Sequence, residues 1–199
     1  IPSTPKMAKG LLVSALRDQN PVVILEPRWL YGTKQDVPLE LYEESLDKAK
    51  VMKKGSDVTV VTYGDGVVAT LEALEIIGKG VSVELIDLVT INPVDHKTIA
   101  RSVKKTGRLI CVDTTSSAFN IGSEIIAKIA QDSSVIMKNS PVSLSCPDVP
   151  CPTSTALTEF YYPTKVDVAN TILKVLGKPQ IKKQLSFEEL HLSPGLIIQ

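Results

Sequence analysis

The chain has 199 residues, of which 43% are hydrophobic and 22% are charged, with 22 basic residues balanced by 22 acidic ones. This length fits one ordinary domain plus a remainder, and the composition excludes a disordered tail, a coiled coil and a collagen-like chain. A formal net charge of zero gives no global field to attract nucleic acid or an anionic membrane, so the sequence disfavours both as partners.

Three cysteines, Cys111, Cys146 and Cys151, form an odd and sparse set. Such a set is unlike the even frameworks of small secreted domains and predicts an intracellular compartment, with cytoplasm and mitochondrial matrix both open. The spacing of Cys146 and Cys151 could suggest one pair of cysteine ligands to a metal ion. A zinc site is nevertheless disfavoured, because the chain has no second cysteine pair and its two histidines, His96 and His191, lie far along the sequence.

Two features concern membrane segments and the start of the chain. No apolar run approaches the roughly 20 residues that a membrane-spanning helix needs, and the N-terminus carries no signal-type stretch. The chain begins at Ile1 rather than Met, and a helical pattern starts almost at once. We therefore expect it to be a piece of a longer protein.

Strand and helix signals alternate along the chain. Continuous apolar runs predict strands at 22–25, 58–62, 81–88 and 109–112. The third run carries Glu84 and Asp87, which predicts that it lies near a sheet edge or ends at a functional rim. Apolar repeats at three or four residues predict helices around Met7, Val67, Ile99, Ile121 and Ala169. The fold class is therefore α/β, a mostly parallel sheet with helices on both faces.

Turn residues mark the predicted helix ends. Gly80 and Gly107 follow helical repeats where a C-cap is expected, and Asp95 precedes one as an N-cap. The Gly64-Asp65-Gly66 turn, which follows a predicted strand, is either a weak phosphate cradle or an ordinary tight turn, and we favour the turn. Glu26 ends another predicted strand, where we expect an interdomain salt bridge. Neither histidine has a nearby partner for acid-base chemistry.

Patterning also predicts the domain organisation. The irregular stretch 27–56 reads as an interdomain connection, and residues 1–26 hold one helix and one strand, too little to bury a core of their own. The proline-rich stretch 140–163 reads as a long ordered loop with one short strand. Beyond 178, the tail predicts a surface arm that lies on a neighbour or frays.

Several segments together resemble a known family, the β subunits of thiamine-diphosphate-dependent 2-oxo acid dehydrogenases of the pyruvate and branched-chain type. The resemblance covers about 175 residues in order. It is carried by the stretches 5–12, 15–22, 26–32, 48–51, 57–64, 71–73, 86–95 and 103–109 and, more loosely, by 147–152.

The resemblance implies a division of the chain. Residues 1–30 would end the domain that binds the cofactor's aminopyrimidine ring, 31–56 would be a linker, 57–178 a transketolase-type C-terminal domain, and 179–199 a tail. It further implies that the catalytic residues of the β subunit lie upstream of Ile1, and that the diphosphate and its magnesium are held by the α subunit. We therefore expect no catalytic or cofactor-binding residue here and an inactive chain on its own.

A monovalent cation site is also implied by the resemblance. Its ligands would be the carbonyls of Ala15 and Leu16 and the side chains of Asp18 and Asn20, an oxygen-only set that suits potassium. Simple helix termination by Asn20-Pro21 explains the same residues equally well.

The expected role is subunit assembly. The resemblance implies an α2β2 heterotetramer and docking to a lipoyl acyltransferase core, within an enzyme that decarboxylates a 2-oxo acid and transfers the acyl group to lipoyl. Two departures concern partner contacts: the loop 113–122 lacks the family's glycine-rich turn, and Asn139 stands where an acidic docking residue is usual. The alternatives are a non-catalytic stand-alone module and a divergent two-chain transketolase or acetoin-cleaving enzyme.

Overall fold

In the part of the chain that the structure describes, the sheet has five strands, and four of them are parallel. The computed structural model describes residues 1–158, 161–182 and 185–186. Its strands are β1 (Lys50–Lys53), β2 (Val58–Thr62), β3 (Val83–Asp87), β4 (Leu109–Ser116) and β5 (Val142–Cys146). Their order across the sheet is β1-β3-β2-β4-β5, with β1 antiparallel to β3. The predicted α/β class is confirmed.

Helices cover both faces of this sheet. They are α1 (Pro5–Arg17), α2 (Asp65–Ile77), α3 (His96–Thr106), α4 (Ile121–Gln131), α5 (Thr155–Thr158) and α6 (Lys165–Val175). Residues of α2 and α6 pack with Val60 and Leu85 on one face. Residues of α3 and α4 pack with Val61 and Ile86 on the other. Because both faces are covered, β2 and β3 are buried at every position, as continuous apolar runs predict.

The helix ends follow local chemistry. Asp95 accepts a hydrogen bond from the Thr98 N–H and caps α3, and Gly107 ends that helix in the left-handed region at φ 72°. Both predictions are confirmed. Gly80 is not a C-cap: Gly78, at φ 70°, ends α2, and Gly80 closes a short 3-10 turn.

The strands differ from the sequence prediction in three places. The run 22–25 forms no strand, since none of the described strands pairs with it and Val23 is 83% exposed. The strand β1 lies within 31–56, the segment predicted as a linker. The strand β3 is not at an edge, because β1 and β2 flank it, although it does end at Asp87.

The N-terminal segment packs against the end of β3. Met7 and Leu11 of α1 are buried with Val89, and the Ile1 nitrogen donates a hydrogen bond to the Val89 carbonyl at 2.7 Å. Residues 1–26 therefore bury part of their apolar surface on the main domain. Among the described residues, no helix combines the length and the apolar character needed to cross a membrane.

The chain just beyond α6 folds back onto that helix at Ile181. The side chain of Asn170 exchanges two hydrogen bonds with the backbone of Ile181, at 2.7 and 3.1 Å. Ile181 also packs against the core cluster of that face. The start of the predicted tail is thus bound to its own domain, while His191 lies outside the described residues.

Candidate functional site

Polar side chains gather at the carboxyl edge of the parallel strands. Tyr63 follows β2, Asp87 ends β3, and Asp113 lies within β4. Ligand sites of open α/β sheets form at this edge, outside the strand ends. The contacts of each group decide whether this edge can hold a ligand.

Asp113 is fully buried and its carboxylate is saturated with donors. Its Oδ1 accepts hydrogen bonds from the Tyr63 hydroxyl at 2.6 Å and from the Thr115 N–H and hydroxyl at 3.0 and 2.7 Å. Its Oδ2 accepts from the Gly122 N–H at 3.3 Å, at the start of α4. Burial, followed by the bond to Asp113, raises the pKa of Tyr63. This carboxylate ties β2, β4 and α4 together.

Asp87 joins the N-terminal segment to the sheet. Its carboxylate accepts hydrogen bonds from the Ser3 hydroxyl and, at 2.9 Å, from the Val89 N–H. Burial raises the pKa of Asp87, and the bond to Ser3 opposes that rise. Val89 stands at φ 61°, a backbone region that a β-branched residue rarely adopts. The strain is held by the packing of Met7 and Leu11 on its side chain.

The Gly64-Asp65-Gly66 segment is an ordinary strand-to-helix turn. The Gly66 N–H donates to the Tyr63 carbonyl at 3.1 Å, and the Val67 N–H donates to the Gly64 carbonyl at 3.2 Å. A Cβ on Gly66 would lie 2.1 Å from the Thr62 hydroxyl, so glycine is needed for close packing. Asp65 itself occupies the first turn of α2.

The helix starts at this edge do not fit a diphosphate. The first turn of α2 carries Asp65, whose pKa is raised by burial, and the first N–H groups of α4 are taken by Asp113 and Asn120. Anions bind helix N-termini through free N–H groups and a positive dipole end. Asp65, Asp113 and the amide oxygen of Asn120 already fill these positions, so these helix starts are not free to bind a diphosphate.

The predicted cation ligands lie together at the end of α1. The carbonyls of Ala15 and Leu16 belong to its last turn, where helix carbonyls lack intrahelical donors. Asp18 Oδ1 accepts from the Asn20 N–H at 2.8 Å and from its Nδ2 at 3.0 Å, bonds that lower the Asp18 pKa. These ligand atoms are all oxygen and fit a hard monovalent cation, but Leu16, Asp18 and Asn20 are exposed, and Asp18 and Asn20 also form a local turn.

The histidine and the cysteines that the sequence singles out form no metal site among the described residues. His96 begins α3, and Cys111 and Cys146 are buried while Cys151 is exposed. Burial raises the pKa of the Cys146 thiol to about 11, which makes it a poor nucleophile. No group of three or more histidine, cysteine or acidic side chains gathers as a metal site within the described ranges.

Glu26 lies on the rim of a groove of about 280 Å³ between the start of α1 and the 3-10 turn Arg28–Gly32. The predicted salt bridge is absent from the described residues. Instead, the Tyr31 hydroxyl donates to Glu26 Oε2 at 3.1 Å. The sequence gives no sign of this groove, because it forms between two segments, 2–8 and 26–33, that are separated along the chain.

Large apolar side chains remain exposed on the N-terminal segment. We call them the N-terminal apolar surface; it comprises Leu12, Leu16, Val22, Val23 and Leu25. Leu16 is 79% exposed. Exposed apolar side chains grouped on one segment are typical of protein interaction sites.

Comparison with known proteins agrees with this architecture. The family model described as "Transketolase, C-terminal domain" matches residues 47–168. The chain is 42% identical over 179 residues to the "Pyruvate dehydrogenase E1 component subunit beta" of Bacillus subtilis, covering 88% of this chain and 54% of that protein. It is 38% identical over 176 residues to the "Acetoin:2,6-dichlorophenolindophenol oxidoreductase subunit beta" of Cupriavidus necator, covering 88% of this chain and 52% of that protein.

One solved structure resembles the fold. It is titled "Split gene transketolase, inactive beta4 tetramer", with a TM-score of 0.58 and 26% identity, covering 68% of this chain and 44% of the other. The chain spans about half the length of the curated relatives it matches. The resemblance drawn from the sequence is confirmed by these matches.

Proposed function

The chain belongs to the transketolase C-terminal domain family, and from this we propose that it is the C-terminal part of the β subunit of a 2-oxo acid dehydrogenase. The full enzyme would decarboxylate a 2-oxo acid oxidatively and transfer the acyl group to lipoyl, with thiamine diphosphate supplying the chemistry. The relative from Bacillus subtilis, named as a pyruvate dehydrogenase β subunit, supports this assignment most directly. The sparse free cysteines suit an intracellular enzyme, in cytoplasm or mitochondrial matrix.

We propose that the role of this chain is the assembly of enzyme subunits. The observation that carries this role is the N-terminal apolar surface, which lies beside residues that are buried on the main domain. Its proposed partners are an α subunit and a second β subunit in an α2β2 enzyme. Docking to an acyltransferase core would use a different surface, near Asn139, whose Nδ2 already donates to the Val175 carbonyl at 2.9 Å.

Cofactor contacts are proposed to lie outside this chain. The carboxylates at the carboxyl edge disfavour a diphosphate, because Asp65 and Asp113 occupy the helix starts that would otherwise attract it. The proposed division is therefore that other parts of the enzyme hold thiamine diphosphate and its magnesium, while residues 57–178 support the cleft. On this proposal the chain alone is inactive.

A second candidate keeps the fold but changes the reaction. The acetoin-oxidising relative and the split-gene transketolase both support a divergent two-chain enzyme of the same cofactor class. A non-catalytic stand-alone module is the third reading. The self-association predicted below is expected for the dehydrogenase, the divergent enzyme and the stand-alone module alike. Only the two enzymes need a partner that carries the diphosphate site.

We further propose that Ala15, Leu16, Asp18 and Asn20 contribute to a potassium site in the full enzyme. They supply about four of the roughly six oxygens that such a shell needs. Potassium should therefore raise the melting temperature of the chain by no more than about 2 °C relative to a bulky organic cation at equal ionic strength. A potassium-specific rise of many degrees would contradict this and show a complete shell.

The assembly role predicts self-association of the isolated chain. Multi-angle light scattering should give a mass above that of one chain, rising with concentration, because the N-terminal apolar surface costs roughly 25 cal/mol for each Å² left in water. The double variant Leu16→Gln/Val23→Gln should shift the chain towards the monomer. Both side chains are exposed, so the fold should be retained.

The matched control is Ile136→Gln. Ile136 is 83% exposed, as Val23 is, but lies after α4 and outside the N-terminal apolar surface. This variant should associate as the parent does. A strictly monomeric parent at high concentration, or equal loss of association in both variants, would contradict an interface at the N-terminal segment.

A further inference from the structure

The groove beside Glu26 combines an apolar floor with a single carboxylate on its rim. Its floor is formed mainly by Pro2, Pro5, Pro27 and Leu30, drawn from the start of α1 and from the 3-10 turn. Glu26, Tyr31, Thr4, Ala8 and Thr33 also line it. At about 280 Å³ it is smaller than most small-molecule pockets and has the size of one long side chain.

The carboxylate on the rim is positioned but not neutralised. The Tyr31 hydroxyl holds Glu26 Oε2 at 3.1 Å, and this bond raises the pKa of Tyr31. No basic side chain of the described residues lies within salt-bridge distance of Glu26, although Arg28 follows it by two positions. Glu26 can therefore accept from a further donor that enters the groove.

A second polar group borders the same groove without a partner. Thr33 is 8% exposed, and its Oγ1 has no hydrogen-bond partner in the described part of the chain. Buried hydroxyls are nearly always hydrogen-bonded, since an unmet one costs free energy. A donor in the groove would give this hydroxyl a partner after rotation about χ1.

We propose that this groove binds an arginine side chain of a partner chain. The inference rests on the proposed function in one respect, that the partner is another chain of the same assembly. The methylene stem of arginine would pack on the prolines and Leu30, as long basic side chains do on apolar surface. The guanidinium would then donate to Glu26 and lie against the Tyr31 ring.

Arginine suits these groups better than the alternatives. Its planar guanidinium pairs with a carboxylate and stacks on an aromatic ring, whereas the lysine ammonium is a more strongly hydrated point charge. An anionic ligand would meet the carboxylate of Glu26. A neutral side chain would leave that carboxylate without the charged donor that strengthens its hydrogen bonds.

The test uses N-acetyl-L-arginine amide as the probe, titrated into the full chain while methyl resonances of Ala8 and Leu30 are followed by NMR. Both residues line the groove. We expect saturable shifts at these methyls, and Glu26→Gln should weaken binding about two- to fivefold. The neutral isostere N-acetyl-L-citrulline amide should bind more weakly by a similar factor.

The control variant is Glu75→Gln, an exposed glutamate on α2 outside the groove. It should bind the arginine probe as the parent does. The absence of saturable shifts, equal binding of the citrulline probe, or unchanged binding in Glu26→Gln would each overturn the inference. Because light scattering measures assembly separately, probe binding by a monomeric chain would contradict the proposed function while supporting the groove's chemistry.

Discussion

Replacing Asp113 by alanine should lower the free energy of unfolding by about 3–5 kcal/mol, because several donors lose their acceptor inside the protein. The Tyr63 hydroxyl and the N–H groups of Thr115 and Gly122 all point at this carboxylate. The Tyr63 hydroxyl and the Gly122 N–H are buried together with Asp113, whereas Thr115 is exposed and can donate to water instead. Urea unfolding at one fixed protein concentration measures the change.

Two further variants separate the polar network from loss of packing. Tyr63→Phe removes one donor and leaves the carboxylate with its others, so it should cost only about 1 kcal/mol. Glu75→Ala removes an exposed carboxylate from α2 and should change stability by less than about 0.5 kcal/mol. If Asp113→Ala were no more harmful than Glu75→Ala, the carboxylate would not hold this edge together.

The second large effect is expected at Gly55, just before β2. A Cβ there would lie 2.1 Å from the Val83 carbonyl carbon and 2.4 Å from the Glu84 nitrogen. Both are backbone atoms of β3, which is buried between β1 and β2 and cannot withdraw. Gly55→Ala should therefore cost about 3 kcal/mol or more in urea unfolding.

Gly80→Ala is the matched control for that variant. Gly80 has no neighbour within 4 Å of its added Cβ, and it lies in the 3-10 turn that precedes β3. The substitution should be neutral or stabilising by up to about 1 kcal/mol, through reduced freedom of the unfolded chain. Equal effects of the two variants would show that the clash at Gly55 is relieved by local movement.

The elements that are buried on both faces could be predicted from the sequence. The runs at 58–62 and 109–112 are continuous and β-branched, which a strand covered on both sides requires. Caps follow short-range chemistry, so Asp95 and Gly107 were also predictable. A run of the same kind at 22–25 forms no strand, because strand formation needs a neighbouring strand as well as propensity.

The strand β1 shows the opposite case. It is four residues long, begins and ends with lysine and is largely exposed, so its sequence carries no strand signal. It forms because β3 offers it an unpaired edge. Its position was therefore decided by the sheet and not by its own residues.

The candidate site depended on long-range contacts that no local pattern encodes. Asp87 meets Ser3 across 84 positions, and Tyr63 meets Asp113 across 50. The sequence did mark Asp87 as an acidic residue at a strand end. The sequence could not show that this carboxylate accepts hydrogen bonds from Ser3 and Val89 and is therefore not free to bind a ligand.

Calorimetric titration of the chain with thiamine diphosphate and magnesium tests the central proposal most directly. Carboxylates of Asp65 and Asp113 occupy the helix starts at the carboxyl edge, so this chain should offer the diphosphate no attractive site. We predict no saturable heat at micromolar cofactor. Saturable binding with a micromolar Kd would contradict the proposed division, because it would place the cofactor site within these 199 residues.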